Sequence, residues 1–239
     1  MNPILNVQDL TKRINHKVLF QGISFELLPG QSLGIFGTRG TGKTTLLHIL
    51  AGVERFNSGK IEILGNNTRK SDRFKKDLGL VTQQKSLFQD MTVAENLDFI
   101  ASLKKAPKAT IQERMERFEL KEYLKDKIHS LASIGVYQRL SLACALLNAP
   151  ELLIADEILK DIDLYSQSII LRELEAFTSE GKTLICSFSH MADISSYPSL
   201  TQVGWLEDGT ITFYDPMDAQ AEWTKQVDFY RKQSERHHA

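Results

Sequence analysis

The residues of this chain best suited to chemistry form one run, Gly37-Thr38-Arg39-Gly40-Thr41-Gly42-Lys43-Thr44, with Thr45 next in line. Glycines spaced in this way ahead of Lys-Thr fit a loop that grips a polyphosphate. Small residues let successive backbone N–H groups curl around an anion, and a helix begun there adds the positive end of its dipole. Lys43 is then placed for the β- and γ-phosphates, and the Thr44 hydroxyl for a magnesium ion. Kinases, GTPases and motor proteins all use such a loop, so other residues have to choose among them.

A second group is Asp156-Glu157, two acids that end the apolar run Leu152-Leu153-Ile154-Ala155. Ligand sites in parallel sheets open at the carboxyl ends of strands. Asp156 suits the magnesium shell, while Glu157 projects differently and suits orienting or deprotonating an attacking water. Alone, paired acids after a strand are usually a solvated strand end. Beside a phosphate loop they read as catalytic machinery.

These groups need a frame. Branched apolar runs alternate with stretches of helical period, the pattern of an α/β fold. The expected buried strands are Ser32 to Phe36, Lys60 to Leu64, Leu78 to Val81, Leu152 to Ala155 and Thr183 to Ser187. The loop follows the first of these and the acids end the fourth. Residues 86–149, helical in period and rich in charge from about Val93 to Leu147, read as a lobe inserted between 1–85 and 150–215 of a single domain. Ile4 to Val7 and Ile23 to Leu28, the latter ending at Pro29-Gly30, read as an antiparallel edge sheet. Thr210 to Tyr214 is the expected last strand, and 216–239 a polar helical tail that either docks or frays.

Composition narrows the partners. Lys plus Arg total 29 against 30 for Asp plus Glu, so no global field draws the chain to nucleic acid, and none is expected as a partner. No apolar run approaches the ~20 residues of a spanning helix, and the start, Met1 to Asn6, lacks a basic leader. Cys144 and Cys186 lie in apolar segments and read as buried reduced thiols, consistent with a soluble cytoplasmic protein.

The succession Gln138-Arg139-Leu140-Ser141-Leu142-Ala143, Ala149-Pro150-Glu151 and Asp156-Glu157 resembles the ATP-binding cassette family, and the likeness covers nearly the whole chain. The resemblance implies a P-loop NTPase core with a mainly parallel sheet flanked by helices, an antiparallel β subdomain and an inserted helical subdomain. It implies ATP and Mg²⁺ as ligands and ATP hydrolysis coupled to transport. A second cassette, identical or distinct, and an integral membrane permease are the implied partners, with the chain peripheral on the inner face of the cell membrane. Residue roles follow in the same way. Gln83 resembles the glutamine linking metal, attacking water and transporter. His190 matches the switch histidine on the γ-phosphate, and Asp161-Ile162-Asp163 matches the loop that crosses to the partner cassette. Leu87 to Leu103 is the implied docking surface, and Thr92 to Leu97 looks more like export cassettes with separate permeases. A soluble cassette serving no permease and a nucleotide-gated regulator with little turnover are the alternatives.

Three departures stand out. Where the family has Leu-Ser-Gly-Gly-Gln for the partner's nucleotide, this chain has Ala132-Ser133-Ile134-Gly135-Val136. Ser133 and Gly135 keep a hydroxyl and a bare N–H for phosphate, and Ser133 can also cap the following helix. Ile134 resists the close approach a glycine permits, so the expectation is either an asymmetric pair of cassettes or a homodimer with a tolerant signature. Ile14 stands where the family stacks an aromatic on adenine, with His16 or Phe20 as substitutes. Arg39 and Asp161 are opposite charges in loops that meet across the family's dimer, so an ion pair between subunits is expected, which a charge swap would test.

Overall fold

The computed structural model describes residues 2–83, 86–197 and 199–237. Among these, strands β1 (Leu5–Ile14) and β2 (Lys17–Leu27) form a hairpin. Its turn, Asn15-His16, takes positive φ at both residues, the twist that a two-residue hairpin requires. The other flank of β1 pairs antiparallel with β4 (Ser58–Ile63), which pairs in turn with the short β5 (Asn66–Asn67).

The second sheet holds the site. β3 (Ser32–Phe36), β6 (Leu78–Val81), β7 (Leu152–Asp156), β8 (Thr183–Phe188) and β9 (Gln202–Glu207) run parallel, and β10 (Thr210–Tyr214) pairs antiparallel with β9. The order is β10-β9-β3-β8-β7-β6. β3, β7 and β8 are buried throughout, which accounts for their continuous apolar runs. The Lys60 to Leu64 run falls in the antiparallel sheet rather than the central one, and β9 was not among the strands expected. An apolar run reports burial, not which sheet buries it, and β9, Gln-Val-Gly-Trp-Leu-Glu, carries no continuous run of branched residues to announce it.

Helix α1 (Lys43–Leu50) leaves the phosphate loop between the two sheets. Its Leu46, Leu47, Ile49 and Leu50 pack with Leu5, Val7, Phe20, Ile61 and Ile154, while Thr44, Thr45 and His48 stay half-buried. The helical lobe contains α2 (Val93–Lys104), α3 (Lys108–Arg117) and α4 (Ile134–Ala145). α4 contacts β6, α2 and α5 (Leu164–Ser179), so the lobe shares one core with the central sheet. The tail forms α6 (Pro216–His237) and docks: Trp223 packs edge-on against Phe36, with ring centroids 5.3 Å apart, and beside Trp205. Cys144 and Cys186 are buried and free, and burial pushes the Cys144 thiol up to about 12. No helix among the described residues is long and apolar enough to cross a membrane.

Candidate functional site

The loop from β3 to α1 turns through Gly40 and Gly42 at φ 91° and 101°, values that glycine adopts at little cost. Gly42 stands at the N-cap of α1 without a side-chain cap, and no acid occupies the first turn. The leading N–H groups of the helix are therefore free for an anion. Lys43 folds back over this loop. Its Nζ donates to Gly37 O at 2.8 Å, Thr38 O at 3.3 Å and Ser189 Oγ at 3.0 Å, and lies 3.5 Å from Glu157 Oε1. Burial lowers the Lys43 pKa, opposed by the charges of Glu157 and Asp156.

Strand register sets the acids. β7 and β8 pair Asp156 with Ser187, so the Ser187 hydroxyl donates to Asp156 Oδ1 and accepts the Glu157 N–H at 3.0 Å. The other oxygen, Asp156 Oδ2, accepts from Thr44 Oγ1 at 2.7 Å. Next to it Glu157 sits at φ 47°, a left-handed conformation uncommon for a residue with a side chain. Its carboxylate turns toward the loop, accepting from Gln83 Nε2 at 3.0 Å, from Ser189 Oγ, and from Lys160 Nζ at 2.5 Å. Burial pulls the Glu157 carboxyl up. Hydrogen bonds from Lys160 and Ser189, with the charges of Lys160 and Lys43, together outweigh burial and hold it below the usual range.

Lys43, Thr44, Gln83, Glu157 and Lys160 line a cavity of about 320 Å³, with Ile14 and Arg39 also on its wall. Grooves of about 580 and 630 Å³ lie elsewhere, but neither joins a glycine loop to a buried lysine and strand-end acids. Thr44 and Asp156 offer oxygen only, the donor type of a hard cation such as magnesium. Among the described residues, no cluster of three His, Cys, Asp or Glu side chains could hold a metal alone.

The remaining expected residues divide. Ile14 stands at the cavity wall, whereas Phe20 is fully buried in the core and is no base-stacking substitute. His16 occupies the hairpin turn. His190 follows Ser189 at the start of a 3-10 turn, exposed and close enough to Asp193 to act on its charge. Ser133 caps α4, its Oγ accepting from Gly135 N at 3.1 Å and Val136 N at 3.4 Å. Neither Ser133 nor Gly135 lines the cavity. Ser187, Ser189 and Lys160 were not foreseen. The alternation Ser187-Phe188-Ser189 at the end of a strand beside the acids is a signal that could have found the two serines.

Known proteins resemble the chain in sequence and in fold. A family model described as ABC transporter matches residues 20–160. The chain is 32% identical over 195 residues to the Nod factor export ATP-binding protein I of Ralstonia nicotianae, covering 80% of this chain and 61% of that protein. It is 33% identical over 186 residues to the spermidine/putrescine import ATP-binding protein PotA of Spiroplasma citri, covering 76% of this chain and 53% of that protein. The chain thus spans between half and two thirds of the length of these relatives. Its fold matches that of a dimeric ATP-binding cassette solved in a post-hydrolysis state with ADP and Pi. The TM-score is 0.79 at 23% identity, covering 89% of this chain and 98% of the other.

Proposed function

Because the chain belongs to the ABC transporter family, we propose that it is the ATP-binding and ATP-hydrolysing subunit of a transporter. One observation carries the reading: Thr44, on the phosphate loop, and Asp156, at a strand end, meet at 2.7 Å, and the adjacent Glu157 turns toward Lys43. ATP enters the cavity with its phosphates on the 37–45 loop and Lys43. Thr44 and Asp156, with Gln83 alongside, would hold magnesium, which would supply neutralising charge for the phosphate oxygens. Glu157 directs a water at the terminal phosphorus. His190 belongs to this set by resemblance alone.

The test separates binding from turnover. Glu157→Gln is expected to cut phosphate release by about 10² to 10⁴-fold while ATP binding persists. If binding is lost along with release, Glu157 has been given the wrong role.

The partners belong to the same reading. Phe88 and Phe99 form an exposed edge-on pair with ring centroids 4.9 Å apart, and Leu103 is exposed nearby on α2. This apolar surface just past Gln83 supports docking on an integral membrane permease, which would hold the chain at the inner face of the membrane. Co-purification with that permease checks it. Export is the direction we favour, supported by the Ralstonia relative, although PotA is named for import.

A second reading concerns the paired cassette. Ile134 is 56% exposed at the first turn of α4, and this branched side chain stands where the partner's nucleotide would approach. That supports an asymmetric pair in which a distinct cassette brings the better signature.

A further inference from the structure

Three donors and a nearby cation crowd the Glu157 carboxylate. An ionised carboxylate offers about four acceptor sites. Here Oε2 takes Gln83 at 3.0 Å and Lys160 at 2.5 Å, while Oε1 takes Ser189 and faces Lys43 at 3.5 Å. These bonds fill both sites of Oε2 and one of Oε1, so a donor that leaves opens a further site from which Glu157 can direct a water. Ser189 is anchored just past the end of β8 and also accepts from Lys43. Lys43 has three other acceptors in the loop and on Ser189. Gln83 is neutral and competes weakly for a phosphate.

Lys160 differs from all three. A tight turn closed by Lys160 N donating to Glu157 O at 3.0 Å carries its side chain back over the carboxylate. The stem is flexible, 29% exposed, and lines the same cavity as the phosphate loop. Arg39, Lys43 and Lys160 stand there against the single acid Glu157 among the described lining residues. That excess of positive charge suits a polyphosphate.

We propose that Lys160 is a specificity residue for the triphosphate: its ammonium moves from Glu157 to the terminal phosphate, and the same movement frees Glu157 to accept a water. A diphosphate offers no terminal oxygen at that depth, so it leaves the clamp shut. The exchange couples readiness for hydrolysis to the presence of the group to be cleaved. It rests on the nucleotide reading of the cavity.

Equilibrium binding tests it without turnover, using a nonhydrolysable ATP analogue and ADP, each with magnesium. Glu157→Gln removes the charge that holds Lys160 and should tighten the analogue but not ADP. Adding Lys160→Met to that background should weaken the analogue about 10-fold and leave ADP unchanged, while Lys160→Arg keeps most of the analogue affinity. Unchanged ADP binding also reports an intact fold. Equal weakening of both nucleotides, or no weakening of the analogue, overturns the proposal. So does a difference that disappears at ~0.5 M salt, which marks a screened field rather than a contact. A wild-type chain that binds neither nucleotide overturns the nucleotide reading itself, and the exchange with it.

Discussion

Ser187 holds two neighbouring acids through one hydroxyl. Its proton goes to Asp156, and its oxygen receives the N–H of Glu157 at 3.0 Å, the residue held at φ 47°. A backbone in that region persists only where its surroundings over-determine it, and this hydrogen bond is part of what does so. Ser187→Ala is expected to leave a buried acceptor and a buried N–H without partners. The cost is ~1 to 3 kcal/mol, read as a fall of several degrees in melting temperature. Turnover should fall with it, because the Glu157 turn loosens, while nucleotide binding through Lys43 persists. An unchanged melting temperature would mean that water replaces the hydroxyl and that the turn is held by Lys160 instead.

At the scale of elements, the junction of α4 and α5 shows a constraint that the signature segment hides. Gly135 was expected to matter for its bare N–H. The structure adds a steric reason, since a Cβ there would fall on Ser166 Oγ and 2.5 Å from Asp163 Oδ2. Asp163 caps α5 by accepting Ser166 N at 2.8 Å, so the two helices meet at the cap itself. Gly135→Ala is expected to destabilise the chain by ~1 to 3 kcal/mol through overpacking and to displace the 161–163 loop. Denaturant unfolding measures the first effect. A fully stable alanine variant would show that α4 can shift without cost. The start of α2 needs no such contact: Thr92 and Glu95 exchange hydrogen bonds, Glu95 N to Thr92 Oγ1 at 3.2 Å and Thr92 N to Glu95 Oε2 at 2.8 Å, a reciprocal box built within four residues.

For the whole molecule, the question is what faces the α4 terminus. Ser133 spends its oxygen on the cap but keeps a proton to donate, so on the proposed reading the exposed Ile134 would be what obstructs a phosphate there. With ATP and Glu157→Gln, the purified chain is expected to remain monomeric by light scattering, and Ile134→Gly to shift it toward dimer. Cooperative ATP hydrolysis and ATP-driven dimerisation by the unaltered chain would replace the asymmetric pair with a homodimer that tolerates this signature.

The sequence alone determined what neighbouring residues decide among themselves. The 37–44 spacing, the apolar strand ending in Asp156-Glu157 and the helical period of the lobe are local patterns, and each was legible as such. Fold class followed from their alternation. The tertiary structure decided whatever depends on distant segments meeting. Thr44 and Asp156 touch across 112 positions of chain, and Ser187 reaches Asp156 only because β7 and β8 are adjacent in that register. Trp223 docks α6 onto a core assembled from β3 and β9. Strand order, the sheet that receives Ser58–Ile63 and the three donors around Glu157 stayed out of reach for the same reason. Periodicity tells which face of an element is buried, but only packing chooses what buries it.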